Sequence, residues 1–361
     1  MPFDVQNFPG ASPQDRAATR RSRRLVAAWL FAVAAMVLMM IVLGGLTRLT
    51  GSGLSIMEWA PLGGALPPVS DAEWRRLFDL YRQIPQYSLV NEGFGLEGFK
   101  HIFWLEWIHR LWGRLIGLAF VVPLILFWIK GRLNSRLKLR LILLLLLGGL
   151  QGAIGWFMVA SGFFPEATAV SPYRLVAHLG MALLLYSVLI WTGLTVLRPA
   201  PQRATAQPLL RLLSVCCFAL VVVTIIAGGF VAGTHAGMDY NTFPLMDGRL
   251  LPVGYSRLEP FARNLTENIA AVQFDHRALA TLVLVAITTT AVIGFAAPRP
   301  APVQAALTAF VLSVLAQYPL GVATLLLIVP ADLATAHQVG AFLVLAASIL
   351  LLHALRRVRI P

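Results

Sequence analysis

The sequence predicts an all-α membrane protein of eight transmembrane helices, arranged as two four-helix bundles that are related by a pseudo-twofold axis. Three observations lead to this prediction: an apolar composition, eight apolar runs of membrane-spanning length, and a set of landmarks that occurs twice. Apolar residues make up 58% of the 361 residues and charged residues only 12%, whereas soluble domains are typically about a quarter charged. The mean hydropathy of +0.75 agrees with a chain that lies mostly within a bilayer.

Eight apolar runs are each long enough to cross the hydrocarbon core of a bilayer as one helix. A transmembrane helix needs about 20 apolar residues, because an α-helix rises about 1.5 Å per residue. The predicted spans cover approximately residues 25–46, 101–128, 140–160, 172–197, 212–233, 268–296, 304–329 and 333–355.

Four landmarks of the first half of the chain recur in the second half in the same order, which indicates an internal repeat. The matched pairs are Gly44-Gly45 with Gly228-Gly229, His109-Arg110 with His276-Arg277, Gln151 with Gln317, and His178 with His337. A unit with an even number of helices ends on the side of the membrane where it began. Both units therefore have the same orientation, which predicts a pseudo-twofold axis along the membrane normal.

This repeat divides the chain into two four-helix halves. Residues 25–197 are predicted to form the first half and residues 212–355 the second half, with residues 198–211 as a cytoplasmic linker. Residues 1–24 and 356–361 are predicted to be cytoplasmic tails.

Basic residues are concentrated in the two tails and in the loops after the second, fourth and sixth helices. Seventeen of the 29 basic residues lie there, beside only two acidic ones, Asp4 and Asp15. The positive-inside rule therefore places both termini in the cytoplasm. The net charge of +13 then reflects membrane topology and does not indicate a nucleic-acid partner. The basic residues are Arg16, Arg20, Arg21, Arg23, Arg24, Lys130, Arg132, Arg136, Lys138, Arg140, Arg198, Arg203, Arg211, Arg299, Arg356, Arg357 and Arg359.

Two long loops, residues 47–100 and about 236–267, lie on the opposite side of the predicted membrane. Both are rich in glycine, proline and aromatic residues. This composition favours folded caps over the helix bundle. The alternative is a pair of flexible surface loops.

The two cysteines, Cys216 and Cys217, are neighbours inside an apolar segment. Adjacent side chains on a helix point about 100° apart, so a disulfide between them is not expected. Both are predicted to be small buried apolar residues.

Four of the seven histidines lie at matching depths in the even-numbered helices. They follow the start of their helices by about five to nine residues, which places them roughly 8–13 Å below the membrane boundary. Ionisable groups at this depth usually face the bundle interior and serve a function. The pairs are His109 with His178 and His276 with His337.

Two neutral imidazoles from neighbouring helices supply the two axial ligands of a six-coordinate haem iron. We therefore predict two haem sites, one in each half. The alternatives are proton relays and simply packed histidines; a zinc site would need more ligands than either pair offers. His101 and His353 lie near helix ends and are expected to be interfacial and without function.

Arginines accompany the first histidine of each pair. Arg110 and Arg277 directly follow His109 and His276, and Arg114 lies one turn beyond Arg110. Guanidinium groups bind carboxylates with two hydrogen bonds, so these arginines are candidates for contacts with haem propionates. The alternative is a contact with lipid headgroups.

The repeat is broken at one informative position. Glu106 lies three residues before His109, whereas Gln273 holds the same place before His276. Residues three apart share a helix face, so the carboxyl group is expected beside the histidine. A carboxyl group in such a place is a candidate general acid or base. The first half is therefore predicted to be reactive, and the second to handle electrons.

These residues resemble the haem A synthase family, a group of membrane enzymes of aerobic bacteria and mitochondria, over nearly the whole chain from about residue 25. The most specific strings are the Glu-x-x-His-Arg motif and Tyr-Asn-Thr-Phe-Pro-Leu-Met. The segments that carry the resemblance are 44–55 (GGLTRLTGSGLS), Glu58-Trp59, 103–110 (FWLEWIHR), 152–159 (GAIGWFMV) and 240–246 (YNTFPLM).

The resemblance implies oxidation of a porphyrin methyl group of haem O, by successive hydroxylation, to the formyl group of haem A for cytochrome oxidase. It implies a catalytic role for Glu106, and it assigns the first histidine pair, with Arg110 and Arg114, to the haem O/haem A site. The second pair and Arg277 would hold haem B. The implied location is the bacterial inner (plasma) membrane. Haem O synthase and cytochrome oxidase assembly factors are the implied partners, and a homo-oligomer stays open.

Two features depart from the family pattern. Some bacterial members carry a cysteine pair in the first long loop, but residues 47–100 contain no cysteine. The chain therefore resembles the proteobacterial and mitochondrial branch, and a disulfide relay at this site is excluded. His235 matches no family motif and stays unassigned.

Two other functions compete with this interpretation. A di-haem b-type electron carrier, such as a quinol-linked cytochrome subunit, would explain the histidine pairs but not the Glu106/Gln273 difference. A transporter with histidines at the midplane is disfavoured because these histidines lie off the midplane and the helices lack paired breaks. Identification of the extracted porphyrins separates the three functions. Haem B alone supports the electron carrier, a farnesylated haem supports the synthase, and the absence of haem supports the transporter.

The predicted topology can be tested by thiol labelling of single introduced cysteines in intact cells. Cysteines introduced into loops 47–100 and 236–267 should react with a membrane-impermeant reagent, because these loops face away from the cytoplasm. The chain with only Cys216 and Cys217 provides the background. If cysteines introduced in place of Arg132 or Arg136 were labelled instead, the predicted orientation would be wrong.

Overall fold

The computed structural model describes residues 13–60, 63–199 and 207–356, and this part of the chain contains eight helices long and apolar enough to cross a membrane. The chain is therefore a multi-pass membrane protein, as predicted. The helices are α1 (Pro13–Leu49), α2 (Leu96–Ile129), α3 (Ser135–Val159), α4 (Pro172–Leu197), α5 (Pro208–Gly233), α6 (Ile269–Phe295), α7 (Ala301–Leu326) and α8 (Ala331–Ala354).

Six helices (α1, α2, α3, α5, α7 and α8) begin earlier than the apolar pattern predicts, and two of these shifts bear on the caps and tails. α1 begins at Pro13, so the second half of the predicted tail 1–24 is helical, because its arginines and alanines are strong helix formers. α2 begins at Leu96 and not near residue 101, and its first turns lie within the cap. His109 therefore lies farther from its helix start than the other three histidines. Asp4, Arg203, Arg357 and Arg359, used for the topology prediction, lie outside the described residues.

The helix contacts repeat between the two halves. In the first half α1 packs on α2 and α4, and α3 packs on α2 and α4; in the second half α5 and α7 make the same contacts with α6 and α8. Between the halves α4 packs on α5 as α1 packs on α8, and α4 meets α8 at the centre. These contacts support the predicted pseudo-twofold arrangement. One apolar core runs through both halves, with Tyr186 edge-on to Phe342 at 5.5 Å across the α4–α8 contact.

The loop between α1 and α2 is a folded cap, as expected. It contains helices Asp71–Tyr81 and Pro85–Leu89, and Ser70 begins the first of these by accepting a hydrogen bond from the Glu73 amide. An aromatic core separate from that of the bundle holds it on α2, with Trp74 4.9 Å from Phe103. We call this loop the first cap.

The loop between α5 and α6 is also folded, and we call it the second cap. It contains two short 3₁₀ segments, Ala236–Met238 and Phe261–Arg263, and one turn of helix at Asn264–Glu267. The buried Asn264 side chain accepts from the Leu258 amide and donates to the Leu258 carbonyl. Both caps thus contain regular turns with capping hydrogen bonds and do not resemble flexible loops.

One prediction about single residues was wrong: Cys217 is buried beside Thr290, but Cys216 is exposed, so only one of the two free thiols packs in the core. His353 lies in the last turn of α8, near the helix end as predicted. It is 3% exposed and packs edge-on against Trp191 of α4 at 5.2 Å, so it is buried between α4 and α8.

Candidate functional site

Each of the four predicted histidines packs against a glycine of a neighbouring helix. A side chain on that glycine would collide with the imidazole ring, because an added Cβ atom would lie only 2.6–3.1 Å from ring atom Cε1. Close helix approach therefore depends on these glycines. The pairs are His109 with Gly44, His178 with Gly155, His276 with Gly228 and His337 with Gly321.

The second histidine pair has a ring separation that would suit two ligands of one metal ion. The ring centroids of His276 and His337 lie 6.4 Å apart, with the ring planes at 89°. Bonds of about 2 Å from a metal to each imidazole, with about 1 Å from each bonding nitrogen to its ring centre, would give a similar separation. Nδ1 of His276 lies 3.1 Å from the Thr224 carbonyl, a typical partner of the non-ligating nitrogen of a metal-bound histidine. The residues present therefore fit a bis-histidine haem.

The first histidine pair differs in its hydrogen bonding. The Nδ1 atoms of His109 and His178 are buried and have no hydrogen-bond partner among the described residues. Nε2 of Gln151 lies 3.4 Å from Nε2 of His178, whereas Nε2 of Gln317 lies 2.9 Å from Nδ1 of His337. Buried polar atoms without partners are costly and rare in proteins. The first pair therefore presents polar atoms that a bound molecule can satisfy.

Arg110 and Arg277 tie the two caps to the helices in the same way. Arg110 donates to the carbonyls of Glu58 (2.8 Å) and Ile56 (2.7 Å) in the first cap. Arg277 donates to the carbonyls of Thr242 and Tyr240 in the second cap.

A third arginine strengthens this connection in the first half, where Arg114 donates to the Ala60 carbonyl at 2.7 Å. All three arginines therefore hold the caps. Their predicted contacts with haem propionates stay predictions.

The carboxyl and amide groups that break the repeat are bonded differently. Glu106 is 4% exposed, and its Oε1 accepts from Nε of Arg110 at 2.6 Å. Gln273 is 2% exposed; its Oε1 accepts from Arg277, and its amide group donates to the carbonyls of Ala236 and Asp239 in the second cap. An ionised carboxylate only accepts hydrogen bonds. Glu106 therefore cannot donate to its cap as Gln273 does.

An aromatic stack beside Arg110 was not assigned from the sequence. Trp59 of the first cap stacks on Trp156 of α3 at 6.2 Å and 11°, and the Arg110 guanidinium lies 5.6 Å above the Trp156 ring. Both tryptophans lie in sequence segments that resemble the haem A synthase family, Glu58-Trp59 and residues 152–159. This resemblance was the signal in the sequence that could have identified them. The stack connects the first cap, α2 and α3 around the first histidine pair.

The first cap is further fixed by an ion pair outside the membrane. Arg76 binds both carboxylate oxygens of Glu58 at 2.8 Å and also binds Glu73. The Arg76 hydrogen bond holds the pKa of the Glu58 carboxyl below its usual range. Glu58 thus links two arginines, because its side chain accepts from Arg76 and its backbone carbonyl accepts from Arg110.

The unassigned His235 has a structural explanation. It has φ of 58° and precedes the 3₁₀ segment Ala236–Met238, just as Gly51 with φ of 68° precedes Ser52–Leu54. Histidine is among the non-glycine residues that tolerate this left-handed conformation. His235 therefore occupies a turn position that the first repeat fills with glycine.

Among the described ranges, no group of three or more His, Cys, Asp and Glu side chains is placed to hold a metal ion.

The fold and the site define a multi-pass membrane helix bundle with one histidine pair under each of two caps. Residues 27–349 match the family described as "Cytochrome oxidase assembly protein", and the chain belongs to this family. Curated relatives named "Heme A synthase" cover nearly the same length. The protein of Granulibacter bethesdensis is 59% identical over 337 residues, which is 93% of this chain and 89% of the relative. Those of Rhodospirillum centenum and Nitrosospira multiformis are 48% identical over 98% of this chain (93% of the relative) and 46% over 92% (94% of the relative).

The glycine contacts predict a specific loss of histidine geometry. In Gly321→Ala the new Cβ would lie 2.6 Å from the His337 ring, so the ring must shift, at a cost of about 1–3 kcal/mol for overpacking. We expect a lower thermal unfolding midpoint and a weaker low-spin haem absorption per mole of protein. Gly149→Ala, where no atom lies within 4 Å, is the control. Equal spectra for the two variants would contradict the proposed packing role.

Proposed function

We propose that this protein is a haem A synthase that oxidises a porphyrin methyl group of haem O to the formyl group of haem A by successive hydroxylation. The observation that carries the proposal is the difference between Glu106 and Gln273 within a repeated site, in a chain whose relatives carry this name. A carrier of electrons alone would have no need for a buried carboxyl group at one of two equivalent sites.

The second pair, His276 and His337, is proposed to hold haem B. Haem B supplies reversible one-electron transfer when bound. The Thr224 carbonyl keeps His276 oriented, and the bonds from Gln273 and Arg277 close the second cap above it. A closed site with oriented ligands suits a resident group better than an exchanging one.

The first pair, His109 and His178, is proposed to bind the substrate haem O and to release haem A. The unpartnered Nδ1 atoms support this assignment, because a site that exchanges its ligand is less completely satisfied when no ligand is bound. Arg110 and Arg114 are proposed to bind the porphyrin carboxylates in addition to the cap carbonyls, since a guanidinium group carries five N–H donors.

Glu106 is proposed to be the catalytic carboxylate. Its carboxyl group would accept and return a proton, with Oε1 held by Arg110. The bond to Arg110 also fixes the side chain one turn from His109, so the carboxyl group would lie near a porphyrin held by that histidine. Gln273 could not exchange a proton in this way, so the second half would transfer electrons without performing the oxidation.

The setting of the reaction follows from the apolar substrate. We propose that the protein lies in the bacterial inner membrane with both termini in the cytoplasm, and that it receives haem O from haem O synthase within the bilayer. Cytochrome oxidase assembly factors would accept the product. The oligomeric state stays open between a monomer and a homo-oligomer.

The two-site assignment predicts separable spectral changes. Replacement of His276 or His337 by Ala should remove a low-spin haem B signal from the purified protein, because haem iron then loses one of two axial ligands. Replacement of His109 or His178 by Ala should leave most of that signal. The measurement is the reduced-minus-oxidised absorption spectrum with extraction of the porphyrins. Loss of the same species in both sets would contradict the assignment.

The proposed chemistry predicts that Glu106→Gln folds and binds haem but does not complete the reaction. The variant keeps the side-chain shape and gains an amide group that can reach the cap as Gln273 does. Loss of a general acid–base group should lower the rate about 10²–10⁴-fold. Chromatography of extracted haems should show haem O or a partly oxidised intermediate.

Glu97→Gln on the same helix is the matched control, since Glu97 is exposed and pairs with Lys100. It should make haem A normally. Normal haem A production by Glu106→Gln would return Glu106 to a structural role and remove the carboxylate from the proposed mechanism.

A further inference from the structure

The two arginines that hold the caps turn their guanidinium groups differently. Arg110 uses all three of its nitrogens: Nε donates to Glu106 at 2.6 Å, and the two Nη atoms donate to separate carbonyls of the first cap. In Arg277 the single nitrogen Nη2 donates both to Gln273 and to the second cap, and Nε is buried without a partner among the described residues. Arg110 thus turns its Nε edge to the residue that breaks the repeat, and Arg277 does not.

A second difference between the repeats lies directly against Arg110. Trp156 lies five residues after Gln151 in α3, and Val322 holds the equivalent place after Gln317 in α7. The Arg110 guanidinium lies 5.6 Å from the centre of the Trp156 ring. A guanidinium group is attracted to the negative face of an indole ring, and a valine side chain offers no such face. The tryptophan and the carboxyl group therefore occur together in the first half and are both replaced in the second.

The Trp156 ring is held on two further sides by aromatic neighbours. Trp59 stacks on it with the centroids 6.2 Å apart, and Phe163 lies edge-on to it at 6.1 Å. Trp156 and Phe163 both pack against the aromatic core of the first cap. Because these neighbours restrict rotation of the indole group, Arg110 meets a fixed surface.

The cap carbonyls alone do not set the orientation of the arginine. Arg277 meets the equivalent pair of carbonyls, those of Thr242 and Tyr240, with its guanidinium group turned differently. Two groups are added around Arg110: the Glu106 carboxylate accepts from its Nε, and the Trp156 ring lies against its guanidinium group. An arginine loses less rotamer freedom per hydrogen bond when its planar group is already held in place. The ring therefore favours the orientation that reaches Glu106.

We propose that Trp156 is a positioning residue that holds Arg110 in the orientation in which its Nε bonds Glu106. The proposal rests on the proposed function, in which Glu106 is the catalytic carboxylate. Trp156 acts on the carboxyl group through Arg110. In the competing explanation Trp156 supports only the first cap, through its stack with Trp59. The two roles predict different effects of substitutions at positions 59 and 156.

The first test measures the rate of haem O oxidation by the full-length purified protein. Trp156→Val introduces the residue of the second half, and Trp156→Leu takes its place if the valine variant is unstable. Trp156→Phe keeps an aromatic face against Arg110, and Trp59→Val removes the stack but leaves the Trp156 ring. Trp128→Val is the matched control, because the Trp128 ring lies 4.7 Å from the Lys138 ammonium group at the other end of the helix that carries Arg110.

We expect Trp156→Val to lower kcat about 3–30-fold, the range that corresponds to the loss of one cation–π contact. Trp156→Phe should regain most of this rate, since its ring can still meet the guanidinium group. Trp59→Val should lose less than Trp156→Val, and Trp128→Val should keep the original rate.

The second test is independent of activity. The thermal unfolding midpoint is measured for Trp156→Val, for Arg110→Gln and for the double variant. Residues in contact do not act additively, so the double variant should shift the midpoint by less than the sum of the two single shifts. Trp128→Val combined with Arg110→Gln should give additive shifts, because these two positions lie about 27 Å apart along α2.

Three results would overturn the proposal: equal rates for Trp156→Phe and Trp156→Val, a rate for Trp59→Val as low as that for Trp156→Val, or additive shifts for Trp156→Val with Arg110→Gln. The first two would show that Trp156 supports only the cap, and the third that it does not hold Arg110. Failure of the proposed function looks different. The original protein would then not oxidise haem O, while the unfolding midpoints would still show the coupling of Trp156 with Arg110.

Discussion

The close approach of an imidazole ring to a glycine on the neighbouring helix is the constraint on which the rest of the structure depends. Within a membrane, helices gain little from excluding water and associate through packing at small residues. Here the small residue has a second effect, because it lets a ring from the next helix enter the bundle. The same contact occurs four times, once for each of His109, His178, His276 and His337. Helix packing and the positions of the histidines are therefore set by one interaction.

The two halves show how closely a repeated scaffold can be kept around one changed position. The arginines that follow His109 and His276 hold their caps through equivalent pairs of backbone carbonyls, so the framework of the two histidine pairs is nearly identical. The carboxyl group of Glu106 stands in place of the amide of Gln273, and this change replaces two hydrogen bonds to the cap by one bond to an arginine.

Much of the fold was predictable because hydropathy and the repeat act over whole helices. Eight spans, the histidine pairs and the Glu106/Gln273 difference follow from periodic patterns and matched spacings. The hydrogen-bond acceptors of Arg110 could not be predicted in this way. They are backbone carbonyls more than 50 residues away in the first cap, and every residue has a backbone carbonyl, so the sequence does not distinguish them. The burial of His353 and the exposure of Cys216 depend on which faces of α8 and α5 meet their neighbours. A uniformly apolar helix does not specify that choice.

Arg110 bonds at once to the Glu106 carboxylate and to two carbonyls of the first cap. The charge on Glu106 and the position of the cap are therefore two parts of one linked equilibrium. Neutralising the carboxyl group removes one charge-assisted bond and frees that donor of Arg110. A substitution that displaces the first cap would therefore also displace the group that holds the Glu106 carboxylate. The cap and the buried carboxyl group are positioned by one side chain, so neither can be changed without consequence for the other.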